Sequence, residues 1–339
     1  GTGAFASKDV GTAKAVSVTG INVTGTDAGN YTFNTTATTA ADITARALTV
    51  SATGQNRVYD GTTNATVTLG DNRVAGDALA LSHATASFPD KNVGTAKTVN
   101  VTGINVTGTD AGNYTFNTTA TTAADITARA LTVSATGQNK VYDGTTNATV
   151  TLGDNRVAGN NLSLAGTASF LNKNVGTAKT VNVTGINVTG TAAGNYTFNT
   201  TATTSADITP RALTVGGIGI SRVYDGTTNA SVTPTDNRVA GDVLTLTGTP
   251  AFADKHVGTA KTINITGITV TGTDAGNYTF NTSATTTADI TARALTVSAT
   301  GQNKVYDGTT NATVTLGDNR VAGDNPSLAG TASFVNKNV

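Results

Sequence analysis

Residues 58–65 read Val-Tyr-Asp-Gly-Thr-Thr-Asn-Ala, and this stretch decides the fold because the chain contains it four times. Its tyrosine stands at Tyr59, Tyr142, Tyr224 and Tyr306, in steps of 83, 82 and 82 residues. A second marker, Gly-Asn-Tyr, keeps the same steps at Tyr31, Tyr114, Tyr196 and Tyr278. Self-similarity at a fixed period means tandem structural repeats. The extra residue of the first step falls within Leu79–Phe88, which is one residue longer than Leu162–Phe170. It lies between two short apolar runs and reads as a turn insertion.

Inside each unit apolar residues alternate with polar ones, the pattern of a half-buried strand. In the first full copy Leu48 and Val50 alternate with Thr49 and Ser51, and Ala65, Val67 and Leu69 with Thr66 and Thr68. Leu79 and Leu81 follow, then Ala84, Ala86 and Phe88, and at the end Tyr114, Phe116, Ala124 and Ile126. Val99 and Val101 share one parity while Ile104 and Val106 share the other, so a bulge or corner is expected at Thr102-Gly103. Roughly eight short strands per unit, with turns such as Asp60-Gly61 between them, predict an all-β, antiparallel, immunoglobulin-like sandwich. Asp110-Ala111-Gly112-Asn113-Tyr114 has the spacing of a tyrosine corner, and the third copy carries Ala192 in place of the Asp.

Unit boundaries follow from Ala-Asp-Ile-Thr-Ala-Arg-Ala-Leu-Thr-Val, which recurs at Ala41, Ala124, Ala206 (with Pro210) and Ala288 and leaves no Gly or Ser linker. The frame is a C-terminal portion at 1–46, full repeats at 47–129, 130–211 and 212–293, and an N-terminal portion at 294–339. Such short junctions predict a semi-rigid rod. Residues 1–10 and 330–339 share one phase of the repeat. The expectation is a window of a longer continuous chain, or else a subunit completed end to end by identical subunits through donor strands.

Composition narrows the function. The 74 Thr and 38 Gly favour strands and turns, while Cys, Met, Trp and Glu are all absent. Without cysteine there is no disulfide framework and no thiolate redox or zinc site. The 21 basic residues balance 21 acidic ones and are scattered singly, which gives neither a nucleic-acid footprint nor a membrane-surface face. No apolar run approaches the ~20 residues of a membrane-spanning helix.

Val58-Tyr59-Asp60-Gly61-Thr62-Thr63, followed by Lys91-Asn92-Val93-Gly94 and Asp110-Ala111-Gly112-Asn113-Tyr114, resembles the YDG-type repeats of large bacterial surface proteins such as filamentous-haemagglutinin-like adhesins. The resemblance covers the whole chain once per period. It implies an extracellular stalk or fibre at the bacterial cell surface, and it implies no catalytic residues.

The residues themselves agree with a non-enzymatic reading. His83 and His256 occupy non-equivalent positions and lack a repeated acid or nucleophile, and no Gly-x-Ser-x-Gly elbow or phosphate loop occurs. The Tyr-Asp-Gly motif reads as a packed tyrosine followed by an Asp-Gly turn. The candidate metal ligands are Asp71, Asp154, Asp236 and Asp318 in the Asp-Asn-Arg-Val-Ala-Gly loops, with Asp77, Asp242 and Asp324 at the far ends, as a Ca²⁺ site. Calcium takes six to eight oxygens, so two acids per loop are few, and Arg73 is placed to neutralise one. Asn-x-Thr triplets such as Asn105-Val106-Thr107 match glycosylation acceptors formally, but a Thr-rich repeat produces them by composition. Lys97, of the same parity as Val99 and Val101, is a candidate for an isopeptide bond to Asp60; the plainer reading is a lysine stem along the sandwich edge with its ammonium in water. The expected function is a structural stalk whose partners are neighbouring repeats or identical subunits. The alternative is an adhesive module whose loops bind a glycan or a host or cell-surface receptor.

Overall fold

The computed structural model describes residues 1–336 and 338. Lys337 and Val339, which close the expected portion 294–339, lie outside the described residues. The described chain is all-β with four single-turn 3-10 segments, and it divides into two compact units. One comprises Gly1–Ala135, Leu152–Thr167 and Thr184–Ala202, and the other Thr136–Thr151, Ala168–Val183 and Thr203–Val339.

The first unit contains a full repeat built of ten strands: β1 (Arg46–Leu48), β2 (Val50–Gly54), β3 (Arg57–Val58), β4 (Val67–Asp71), β5 (Ala80–Ser82), β6 (Thr85–Ser87), β7 (Gly94–Thr102), β8 (Asn105–Thr107), β9 (Tyr114–Phe116) and β10 (Thr119–Thr127). The largest sheet has the order β3-β10-β7-β6, while β2 pairs with β4, β8 with β5 and β9 with β1. Two of these pairings, β9 with β1 and β10 with β3, are parallel, which corrects the expectation of a purely antiparallel unit. Parallel neighbours need long crossovers, and nearly the whole repeat lies between the paired strands. Alternation within one strand carries no information about such a pairing.

The parity change at Gly103 is real. Val99, Val101, Ile104 and Val106 are all buried, and Gly103 takes a φ of +63°, open to glycine at little cost. The inserted residue separates β5 from β6, whereas in the second unit the corresponding stretch is one strand, Thr245–Phe252. A second bend lies at the start of β7, where the register against β10 shifts between Gly94 and Lys97. Ala96 sits there at φ +47°, its N–H donated to Asp125 Oδ1 at 2.7 Å, and Ala13, Ala178 and Ala260 repeat the conformation.

The second unit contains the repeat that starts at Arg211–Leu213, paired parallel with Tyr278–Phe280. Its core gathers Leu213, Val215, Phe252, Ile263, Ile265, Ile268 and Ile290, each contributing about 1.5–3 kcal/mol by leaving water. Volume is traded across this core: Gly217 replaces the Ala52 of the first full repeat, and Ile265 replaces its Val101. A Cβ on Gly217 would stand 3.2 Å from Ile265 Cδ1, so the larger partner fills what the smaller gives up.

Candidate functional site

The three sequence markers meet at the joints between successive repeats. In the first unit Tyr59 is fully buried, its backbone N–H held by Thr127 O at 2.9 Å, at the end of β3. Its hydroxyl donates to Asn160 Oδ1 of the next repeat at 2.9 Å, and its ring meets Tyr196 edge-on at 5.4 Å. Asp60 closes the turn through Thr62, whose N–H it accepts at 2.8 Å. Gly61, at φ +81°, lies so close to the next repeat that a Cβ would come within 2.8 Å of Val157 Cγ1. The Tyr-Asp-Gly motif is therefore the contact by which one repeat seats against another.

The same construction recurs in the second unit. Tyr142 is buried, meets Tyr278 edge-on at 5.5 Å and donates to the Asp242 carboxylate at 2.9–3.0 Å. Tyr278 also donates to Asp242, at 2.5 Å, while accepting the Val239 N–H at 2.9 Å. Lys173, from the earlier repeat, places its ammonium 2.8 Å from Asp242 and 3.0 Å from Asp274. Asn277 Oδ1 accepts the Val175 N–H at 2.9 Å and completes the seam. Burial alone would raise the Asp242 carboxyl, but donation from Lys173, Tyr278 and Tyr142 outweighs it and holds the group below the usual carboxylate range. Burial, with the carboxylate beside it, pushes Tyr278 up to about 12.

Each metal candidate is otherwise engaged. Asp71 is gripped on both oxygens by Arg73, at 2.8 Å from Nε and 2.5 Å from the terminal guanidinium nitrogen. Arg73 also donates to the Leu79 carbonyl at 2.7 Å, so the arginine straps the loop shut. Asp154 with Arg156, Asp236 with Arg238 and Asp318 with Arg320 repeat the pair. Asp77 belongs to a separate group with Lys8 and the Tyr114 hydroxyl, as Asp324 does with Lys255 and Tyr224. Among the described residues no three His, Cys, Asp or Glu side chains group to hold a metal. Excess EDTA or Ca²⁺ is expected to leave the melting temperature unchanged, because only a ligand of the native state stabilises it. A rise with Ca²⁺ would show that the arginines yield to the ion.

Other expectations are relocated. The Tyr114 hydroxyl accepts the Val74 N–H at 3.0 Å, forty residues upstream, rather than turning onto its own corner. Where Asp110 and Asp274 accept from Ala78 and Val243, the third copy has Ala192, whose own N–H reaches Asn161 O at 3.4 Å. Lys97 pairs with Asp90 at 2.7 Å and Asp60 with Arg57 at 2.9 Å, so the expected Lys97–Asp60 partnership is not made; at the equivalent Asp143 the partner is Lys140, in an ion pair at 2.8 Å. Asn113, formally a glycosylation acceptor, receives the Val10 N–H at 2.8 Å. The lysine series Lys8, Lys91, Lys173 and Lys255 escaped sequence reading, although the Lys-Asn-Val-Gly marker contains it. Its partners lie in the next copy, and a motif does not say which copy it meets.

The described chain is thus an all-β tandem repeat whose successive copies meet through buried tyrosines. This chain belongs to the YDG domain family, whose pattern matches residues 1–40, 44–123, 127–205, 209–288 and 291–339. No curated protein matches it. Among solved structures it is similar to the crystal structure of Drosophila N-cadherin EC1-3, at 9% identity and a TM-score of 0.20, over 71% of this chain and 98% of that one. No helix among the described residues is long and apolar enough to cross a membrane.

Proposed function

We propose that the chain is a non-enzymatic structural stalk or fibre segment of an extracellular bacterial adhesin or filament, its repeats immunoglobulin-like sandwiches. One observation carries the reading: the residues that mark the family are spent on joining repeats. Tyr59 and Tyr142 are buried with both ring and hydroxyl against the following repeat. Tyr224, whose ring has no edge-on tyrosine partner among the described residues, is only half-buried. A joint sealed by an aromatic pair, a glycine contact and an Asn-to-backbone bond resists bending, which is what converts copy number into reach.

The test is to display versions of the array with fewer or more repeats on a bacterial surface and to measure how far a terminal tag stands from the cell. The stalk reading expects distance to rise in equal steps with each repeat, and no specific hits when the chain is applied to a glycan array. Strong glycan binding that survives shortening would favour an adhesive module instead.

A further inference from the structure

The joints are not chemically alike. In the second unit the keystone is a carboxylate, Asp242, shared by Tyr142 and Lys173 of one repeat and Tyr278 of the next. In the first unit the same place is taken by Asn160, which accepts from Tyr59 at 2.9 Å and donates its amide to the Tyr196 hydroxyl at 2.8 Å. The second acid of the cluster changes with it, Asp274 in one joint and Ala192 in the other. Lys91, the counterpart of Lys173, is exposed and makes no ion pair among the described residues. Both acids that would face this lysine are thus absent from the same joint, while the aromatic pair, the glycine contact and the Asn-to-backbone bond are retained.

We propose that the joint centred on Asp242 is an acid-releasable hinge and the joint centred on Asn160 is its less acid-sensitive counterpart, so that one chain carries both kinds. The groups facing Asp242 are Lys173 from the turn after Ser163–Phe170, Tyr142 beyond Lys140–Val141, and Tyr278 and Asp274 around the 3-10 turn Ala275–Asn277. On its own loop Arg238 is committed to Asp236. Protonating Asp242 removes the negative partner of Lys173 and puts a proton where two tyrosine hydroxyls and the ammonium already donate. The acid then holds more donors than acceptors in a buried place.

The sign follows from linkage. A carboxyl held below its unfolded value contributes stability that is complete above the ordinary pKa, about 3.9, and is lost as pH falls through the lower folded value. Release therefore belongs to strongly acid solution. An amide has no proton to gain there.

The inference rests on the joint as the working element proposed above. The experiment is hydrogen exchange of the intact chain, comparing protection at 236–246 and 154–164 between about pH 6 and about pH 3. Asp236 and Asp154 lie in the compared segments and are each held by an arginine, so both segments lose some protection. Expected is an excess loss at 236–246 over 154–164, several-fold and at most about ninefold at about pH 3 for the one extra carboxyl of Asp242. Asp242→Asn should remove most of that excess, leaving what Asp236 and Asp274 contribute, and Asn160→Asp with Ala192→Asp should create a like excess in the first unit. Equal losses at both joints, or an acid response unaltered by Asp242→Asn, would overturn the hinge. If Asp242→Asn fails to fold, the reciprocal double variant decides alone. Absence of protection at both joints at neutral pH would instead count against the stalk reading, so the two failures are distinguishable.

Discussion

Tyr142→Ala is expected to weaken its repeat and the joint beyond it by about 3–5 kcal/mol, the range for removing a fully buried aromatic side chain. The ring is 1% exposed, and it packs with Phe170 and Val181 of its own repeat as well as with Tyr278. Truncation opens a cavity on both sides of the joint and leaves the Asp242 carboxylate one donor short. Tyr142→Phe keeps the ring and loses only the hydroxyl, so it should cost about 1 kcal/mol, because Lys173 and Tyr278 still donate to the carboxylate. The chain need not unfold as one cooperative unit, so the check is local: hydrogen exchange at the Val239 N–H, which is bound to the Tyr278 hydroxyl. Tyr306 supplies the reference, since it belongs to the same motif but is 61% exposed. Should Tyr142→Ala prove no more damaging locally than Tyr306→Ala, the motif would not be a joint.

Much of the strand order was legible because alternation reports which side chains face inward, and Val99, Val101, Ile104 and Val106 keep both their parities and their burial. What stayed hidden was every relation between distant segments. The parallel pairs link Arg46–Leu48 with Tyr114–Phe116 and Arg57–Val58 with residues in Thr119–Thr127, and neither short strand has the length to announce a partner. The joint was hidden for a sharper reason. Tyr59 and Asn160 stand 101 residues apart, more than one period, so a motif repeated in every copy looks the same whether it packs within its own unit or against the next. The acids of the Asp-Asn-Arg-Val-Ala-Gly loop read in the sequence as one candidate Ca²⁺ ligand set, yet in the structure they divide between two tasks. Asp71 is bound by the arginine two residues on, whereas Asp77 reaches Lys8 and Tyr114. Carboxylates near in sequence read as one ligand set, and only the positions of the cations separate them.

Glycine at the second place of the turn separates backbone strain from joint packing. Gly144 has φ +79°, and a Cβ there would lie 2.7 Å from Val239 Cγ1, whereas Gly308 has φ +75° with nothing within 4 Å. Gly308→Ala should therefore meet only the left-handed backbone penalty, about 1–2 kcal/mol. Gly144→Ala should meet that penalty and an overpacking cost of about 1–3 kcal/mol against Val239. Val239→Ala makes room for the new methyl at the cost of its own packing, so the double variant should be less damaged than the sum of the two single ones. A coupling of that sign, read from denaturation midpoints and from exchange at residues 236–246, places the turn and the next repeat in direct contact in solution. Equal costs for Gly144→Ala and Gly308→Ala, with strict additivity at Val239, would mean that the turn is strained for its own sake and that the joint does not depend on it.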